Sequence, residues 1–311
     1  MKKITPILEE LIAPTLKRSV SFAGTDEDVK ILIAKTLINN IKLTKTLKSI
    51  SDAEFKVFSQ FGDDGIIQYL INTVSILPQE ENFAEFGVEN YRESNTRFLL
   101  INNNWRGFIM DGDGNYIASV KNWNEYWKYD LTAVAAFVTK KNINVLFKKY
   151  GFDKDLGILS IDVDGNDYWL WQAFTVTKPV IVIVEYNSVF GKKSAVTIPY
   201  KENFYRTKAH YSNLYWGTSI KAITLLAKKK GYAFVGSNSN GNNAYFVRRD
   251  RLGKLKELNV ETGYVESKYR ESRNKAGSLT YVGGAERLKL IRNLKVVNVV
   301  SNKMLKLDSI I

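Results

Sequence analysis

Residues 158–187, ILSIDVDGNDYWLWQAFTVTKPVIVIVEYN, set two groups of oxygen-bearing side chains behind two apolar runs. Asp162, Asp164, Asn166 and Asp167 follow ILSI, and Glu185 and Asn187 follow VIVIV. Carboxylates gathered in one place can take a proton from a reacting group or give oxygen ligands to a hard cation. Either use requires the two groups to converge. The apolar runs are rich in β-branched residues, as the buried strands of a parallel sheet are. YWLWQAF between them suits the crossover helix. Ligands of such sheets bind beyond the carboxyl ends of the strands, so neighbouring strands would aim these side chains into one cleft. The plain alternative for Asp162 and Asp164 is turn chemistry, because DVDGND is rich in turn formers. Paired acids at the end of a buried strand are costly without a partner, which favours the functional reading.

The rest of the chain supplies the elements that would position them. TDEDVKILIAKTLINNIKL reads as a peripheral helix capped by Thr25, within a helical extension over residues 1–56. VFSQFGDDGIIQYLINTV at 57–74 is a loop running into a helix, in which Gln60, Asp63, Asp64 and Gly65 could serve as a cap and nothing more. NFAEFGVENYRESNTRFLL reads strand, glycine turn, helix, with Glu85 and Gly87 at the turn and Asn95 near the helix start. A glycine there lets a ligand approach the backbone, and the helix start favours polar or anionic groups. WRGFIMDGD is a strand ending in Asp111, about one βαβ unit on, where nucleotide-binding α/β folds hold ribose hydroxyls. With one glycine instead of three, the dinucleotide fingerprint is absent. LTAVAAFVT and KKNINVLFKKYGF add a strand and a helix. Residues 188–212 are loop-like and hold the only histidine, His210. TSIKAITLLAKKKG is a helix closed by Gly231, and YAFVGSNSNGNNAYFVRR is an antiparallel pair of strands. Residues 250–311 suggest a loop, a short helix and a small strand. Periodicity therefore predicts a doubly wound α/β domain over 57–249, with a small C-terminal extension packing on it.

Composition narrows the setting. The chain has 311 residues, 45% hydrophobic, enough for a sizeable core. Without cysteine there are no disulfides, thiolate metal sites or cysteine nucleophiles. No apolar run approaches the ~20 residues of a membrane span, and Glu9 and Glu10 break any signal-peptide core, so a soluble cytoplasmic protein is expected. The formal net charge of +13 suits an anionic partner. It also suits a lysine-rich surface, since the basic residues are not interleaved with aromatics along one stripe.

The ordered set SQFGDDG, FAEFGVEN, WRGFIMDGD, VTKKNIN, LSIDVDGNDYW and VIVEYNSVFG resembles class I S-adenosylmethionine-dependent methyltransferases. Within them it is most similar to the FkbM-like group of bacterial surface-polysaccharide gene clusters. The likeness runs over about 57–248, and RESR, LTYV and LKVVNV look like the tail of that group. It implies a Rossmann-like seven-stranded sheet with the last strand antiparallel. Glu85 and Gly87 then match the first cofactor motif, Asp111 the acid that grips the ribose, and Asn142 the region of the adenine. Gln60 and Asp64 match an element beside the cofactor's amino-acid end, while Asn95, Gly112 and Asp162 complete the implied cofactor set. Glu89 stands where glycine is common in the superfamily.

The resemblance implies methyl transfer to a sugar hydroxyl of a capsular polysaccharide, lipopolysaccharide or related precursor, including a nucleotide-linked one. The hydroxyl must lose its proton as it attacks, which a general base or a divalent metal such as Mg²⁺ can bring about. Asp164 and His210 are the candidate bases, His210 because an unperturbed pKa of ~6.5 suits proton transfer near neutrality. Asp162, Glu185 and Asn187 resemble the metal ligands of metal-dependent sugar O-methyltransferases. Those relatives have two consecutive acids after the later strand, whereas here Tyr186 follows Glu185 and Asn187 is an amide. Arg270 and Arg273 could clamp an acceptor phosphate or carboxylate. An RNA methyltransferase, suggested by the charge, and a non-catalytic binding module stay open as alternatives, as does a homo-oligomer.

Overall fold

The computed structural model describes residues 26–43 and 47–309. The chain divides into two units, residues 1–46 and 47–311. In the first, residues 26–43 are helical (α1), and the Thr25 cap lies outside the described residues. The second unit begins ten residues earlier than the expected domain boundary at 57. Ile50 and Ala53 are buried in it, and Gly65 N donates to Phe55 O. The whole C-terminal stretch belongs to this unit as well.

Its centre is a seven-stranded sheet. The strands are β1 (Asn82–Phe86), β2 (Arg106–Asp111), β3 (Leu131–Ala135), β4 (Ile158–Ile161), β5 (Ile181–Glu185), β7 (Tyr232–Ser237) and β8 (Asn243–Arg248), in the order β3-β2-β1-β4-β5-β8-β7. The first five are parallel, and β8 lies antiparallel between β5 and β7. This is the sheet implied by the resemblance. The order reverses between β1 and β4, so a crevice must open there at the strand ends.

Residues alternate between the two faces. Phe108, Met110, Leu159, Val182 and Val184 pack on one side with Phe147 of α5 (Ile143–Tyr150), Trp171 of α6 (Asp167–Ala173) and Ile223 of α8 (Ile220–Lys230). Phe83, Ile109, Ile158, Ile181 and Ile183 pack on the other with Ile67 and Leu70 of α2 (Asp63–Thr73) and Leu99 and Leu100 of α3 (Arg97–Asn103). Helices cover both faces, which is why the parallel strands read as continuous apolar runs. Sequence reading left out α4 (Gly114–Lys121), between β2 and β3. It also left out β6 (Val196–Thr197) inside the expected loop, which pairs with β9 (Lys295–Asn298). With β10 (Lys303–Lys306) and α10 (Ala285–Ile291), these pack around Phe190, Ile198, Trp216, Ile291 and Val296. The C-terminal stretch thereby braces the loop that follows β5.

Candidate active site

A cleft of about 850 Å³ opens at the carboxyl ends of β1 to β5, a size that suits a cofactor with part of an acceptor. Segments following each of these strands line it, together with Gln60 and Phe61, the β7–β8 turn and residues of the C-terminal stretch.

The turn after β1 is set by close packing. Gly87 has φ +73, and a Cβ there would lie 1.7 Å from the carbonyl oxygen of Asp162. Only glycine allows the β1 and β4 ends to meet. Glu89, two residues on, holds φ +47, the conformation for which glycine is preferred, and its N–H donates to Asp111 Oδ2 at 2.8 Å. Asp111 Oδ1 accepts from Asp113 N at 2.8 Å. Each oxygen of Asp111 thus keeps a lone pair for a donor in the cleft, such as a ribose hydroxyl.

Glu85 lines the cleft but is spent on the fold. It accepts from Asn95 N at 3.0 Å, Thr96 N at 3.1 Å, Thr96 Oγ1 at 2.6 Å, Ser160 Oγ at 3.3 Å and Ser94 Oγ. Burial raises its pKa against these bonds. It ties the segment before α3 to β1 and β4. Asn95, whose Nδ2 donates to Ser160 Oγ at 3.2 Å, also lines the cleft.

At the ends of β4 and β5, Asp162 and Glu185 stand side by side within hydrogen-bonding reach. Both are half-buried and line the cleft. Burial first, then their mutual repulsion and that of Asp164 and Asp167, raises both far above the ordinary carboxyl range. Asp167 serves the turn instead: Oδ1 accepts from Val163 N and Oδ2 from Gly165 N, and burial pushes it up to about 7.

Several expected site residues are placed elsewhere. Asp64 does not line the cleft. Its Oδ2 accepts from Val57 N, Phe58 N and Ser59 N at 2.8 to 2.9 Å, and so shapes the loop that presents Gln60 and Phe61. Asn142 is also outside. Its Oδ1 accepts from Thr139 N and its Nδ2 donates to Phe137 O, which fixes the loop carrying Phe137 and Val138 into the cleft. His210 is not in the lining either; its Nδ1 meets Ser212 Oγ at 2.8 Å, its ring packs on Tyr211, and burial lowers its pKa. Asp164 lines the cleft, and its Oδ1 is ion-paired to Arg206 at 2.9 Å. Gly112 lines the cleft, where a Cβ would meet the Phe137 ring at 2.9 Å. Arg270 is exposed outside the lining, and Arg273 pairs with Glu271 and donates to Gly277 O.

The expected metal set does not fit. Asn187 Oδ1 accepts from Val189 N, and its Nδ2 donates to Leu214 O and Trp216 O, so its side chain is consumed in holding the loop. Asp162 and Glu185 are then the only members of the expected set left free to offer carboxylate oxygens to the cleft. Among the described residues no group of three or more His, Cys, Asp or Glu is placed to hold a metal ion.

Sequence reading missed Arg206 and the cleft-facing side of the C-terminal stretch. Arg206 Nη1 donates to Asp164, Nη2 to Glu271 and Nε to Asn213 O, each at 2.9 Å, and its guanidinium lies 4.9 Å from the Trp216 ring. Burial opposes its charge, but Asp164, Glu185 and Glu271 outweigh that and raise its pKa. Ser267, Tyr269 and Glu271 all line the cleft. Their spacing is the period-two alternation of an extended segment, a signal that was readable in the sequence.

No family model matches the chain, and no curated protein does. Fifteen chains of solved structures match. One is an O-methyltransferase from Bacillus cereus in complex with SAH, at 10% identity over 70% of this chain and 89% of that chain, with a TM-score of 0.37. Another is the glycopeptide N-methyltransferase MtfA with S-adenosylhomocysteine, at 10% identity over 61% and 91%, with a TM-score of 0.36. A third is TrmK of M. capricolum with the same product, at 12% identity over 58% and 67%, with a TM-score of 0.31. The strand order of the sheet, not these distant likenesses, is what establishes the fold.

Proposed function

We propose that the chain is an S-adenosylmethionine-dependent O-methyltransferase acting on a sugar hydroxyl of a capsular polysaccharide, lipopolysaccharide or related glycan precursor. The observation that carries this reading is the half-buried Asp162–Glu185 pair facing a cleft at the β1/β4 switch point. The motif order and the lone pairs left on Asp111 support it. Bound there, S-adenosylmethionine would supply an electrophilic methyl group on a sulfonium centre. Asp111 takes the ribose hydroxyls, and the acidic lining favours a cationic cofactor. A carboxylate of the Asp162–Glu185 pair would accept the proton of the acceptor hydroxyl and so ready its oxygen for the methyl group. A carboxylate with a raised pKa is the better base for this step. The metal route is dropped because the donor set does not fit, and no other residue in the lining replaces His210 as a candidate base of neutral pKa.

Isothermal titration with S-adenosylmethionine and S-adenosylhomocysteine tests the first step. Binding is expected with both, and no heat at about 1 mM ligand would refute the reading. Asp111→Asn should weaken both ligands about tenfold, the scale of one charge-assisted hydrogen bond. Activity should survive EDTA and be lost in Asp162→Ala.

A further inference from the structure

We propose that the acceptor half of the cleft selects a polyhydroxylated molecule carrying no negative charge, recognised through the side-chain oxygens of Glu185, Asn166 and Asn243. This rests on the methyl-transfer reading above and narrows its substrate class.

The three oxygens, Glu185 Oε2, Asn166 Oδ1 and Asn243 Oδ1, belong to cleft-lining residues, are buried, and have no protein donor directed at them. Asn166 and Asn243 are each 4% exposed. The orientation of both amides is fixed by their other end: Asn166 Nδ2 donates to Lys201 O, and Asn243 Nδ2 to Asp63 Oδ1, both at 2.9 Å. Glu185 and Asn243 are register partners across β5 and β8, so their side chains stand next to each other on one face. Asn166 lies at the start of α6, just beyond β4. Buried acceptors without donors are costly, and a ligand that brings donors removes the cost. Sugar hydroxyls donate; a phosphate, sulfate or carboxylate ionised at neutral pH only accepts.

Charge points the same way. Nine carboxyl side chains line the cleft against two guanidinium groups, and both of these are committed. Arg206 is held by Asp164 and Glu271. Arg287 is 4% exposed, bonded to Glu266 at 3.0 Å and to Tyr269 O. A diphosphate or nucleic-acid backbone would thus face like charge with no available cation among the described lining residues. This sets aside a nucleotide-linked acceptor and the RNA alternative.

The test uses the full chain, saturated with S-adenosylhomocysteine, on an array of neutral, amine-bearing, phosphorylated, sulfated and uronate glycans. Retention is expected on neutral or amine-bearing glycans only, and on the neutral ones it should change less than about twofold with added salt, since no counterions are released. Glu185→Gln should weaken it about tenfold, the scale of a hydrogen bond to a charged group. Strongest retention on an anionic glycan, a steep fall with salt on a neutral one, or no retention on any glycan overturns the proposal. Calorimetry with S-adenosylhomocysteine on the same preparation separates the two readings. Heat without glycan retention defeats the acceptor assignment alone, whereas absence of heat defeats the methyl-transfer reading.

Discussion

Replacing Asp64 by Asn should stabilise the protein at alkaline pH without removing cofactor affinity. Asp64 is fully buried and its carboxyl is pushed up to about 6, by burial acting against hydrogen bonds from Ser59, Val57 and Phe58. A carboxyl raised in the folded state contributes stability that is full below its unfolded pKa, near 3.8, and is lost as pH rises through the folded value. The gap of about two units corresponds to about 3 kcal/mol at pH 8, roughly half of it already present at pH 5. Asparagine keeps one carbonyl oxygen for the three backbone N–H groups now bound by Oδ2. Its amide nitrogen takes the place of Oδ1, which is buried without a partner, at a cost of about 1–3 kcal/mol. The advantage of Asp64→Asn over the wild type should therefore grow by about 1.4 kcal/mol between pH 5 and pH 8, read from urea unfolding at the two pH values. S-adenosylmethionine affinity should stay within about threefold, because Asp64 does not line the cleft. Parallel stability curves would show that Asp64 titrates normally in the fold. Lost binding at unchanged stability would make it a cofactor ligand after all.

Two backbone predictions follow from the turn after β1. Gly87→Ala brings a methyl group to 1.7 Å from Asp162 O at φ +73. It should lower Tm by more than about 10 °C or prevent folding, and a melt within about 2 °C of the wild type would refute the close approach. Glu89→Gly relieves a non-glycine φ of +47, worth about 1–2 kcal/mol, against about 0.5–1 kcal/mol of added chain entropy. The urea midpoint should hold or rise, where an ordinary surface Glu→Gly change lowers it.

How much of this was legible depends on how local each signal is. Strands β4 and β5 were readable as buried runs rich in β-branched residues, and β1, β2, β3, β7 and β8 as short apolar stretches beside turn signals; Gly231 closes α8 with φ +87 as its position suggests. Asp111, Asp162 and Glu185 were readable as acids at strand ends. Asp64 was readable both as a cap and as a site candidate, and its loop hydrogen bonds decide for the cap; Asn142 and Asn187 were read only as site candidates. A carboxylate or amide that caps its own loop has the same residue type and setting as one that binds a ligand. Only the hydrogen-bond partners separate the two. Arg206 could not be found by pattern, since its function lies in joining segments 42 and 65 residues apart, at Asp164 and Glu271. His210 drew notice as the sole histidine of an irregular loop, where no periodicity tells which way a side chain turns.

The net charge of +13 and the acidity of the cleft have opposite signs, and distance decides which one a ligand meets. At physiological ionic strength charges act over a Debye length of about 8 Å, so surface lysines beyond that range barely reach the cleft floor. Low-dielectric walls strengthen the field of the nine lining carboxyls. The net positive charge therefore does not decide which acceptor the cleft takes. Under the proposed function, these acids favour a cationic cofactor and take the proton of an acceptor hydroxyl. A variant with neutralised surface lysines should leave both capture of an uncharged acceptor and the pH dependence of transfer unchanged, because the groups proposed to set them are in the cleft.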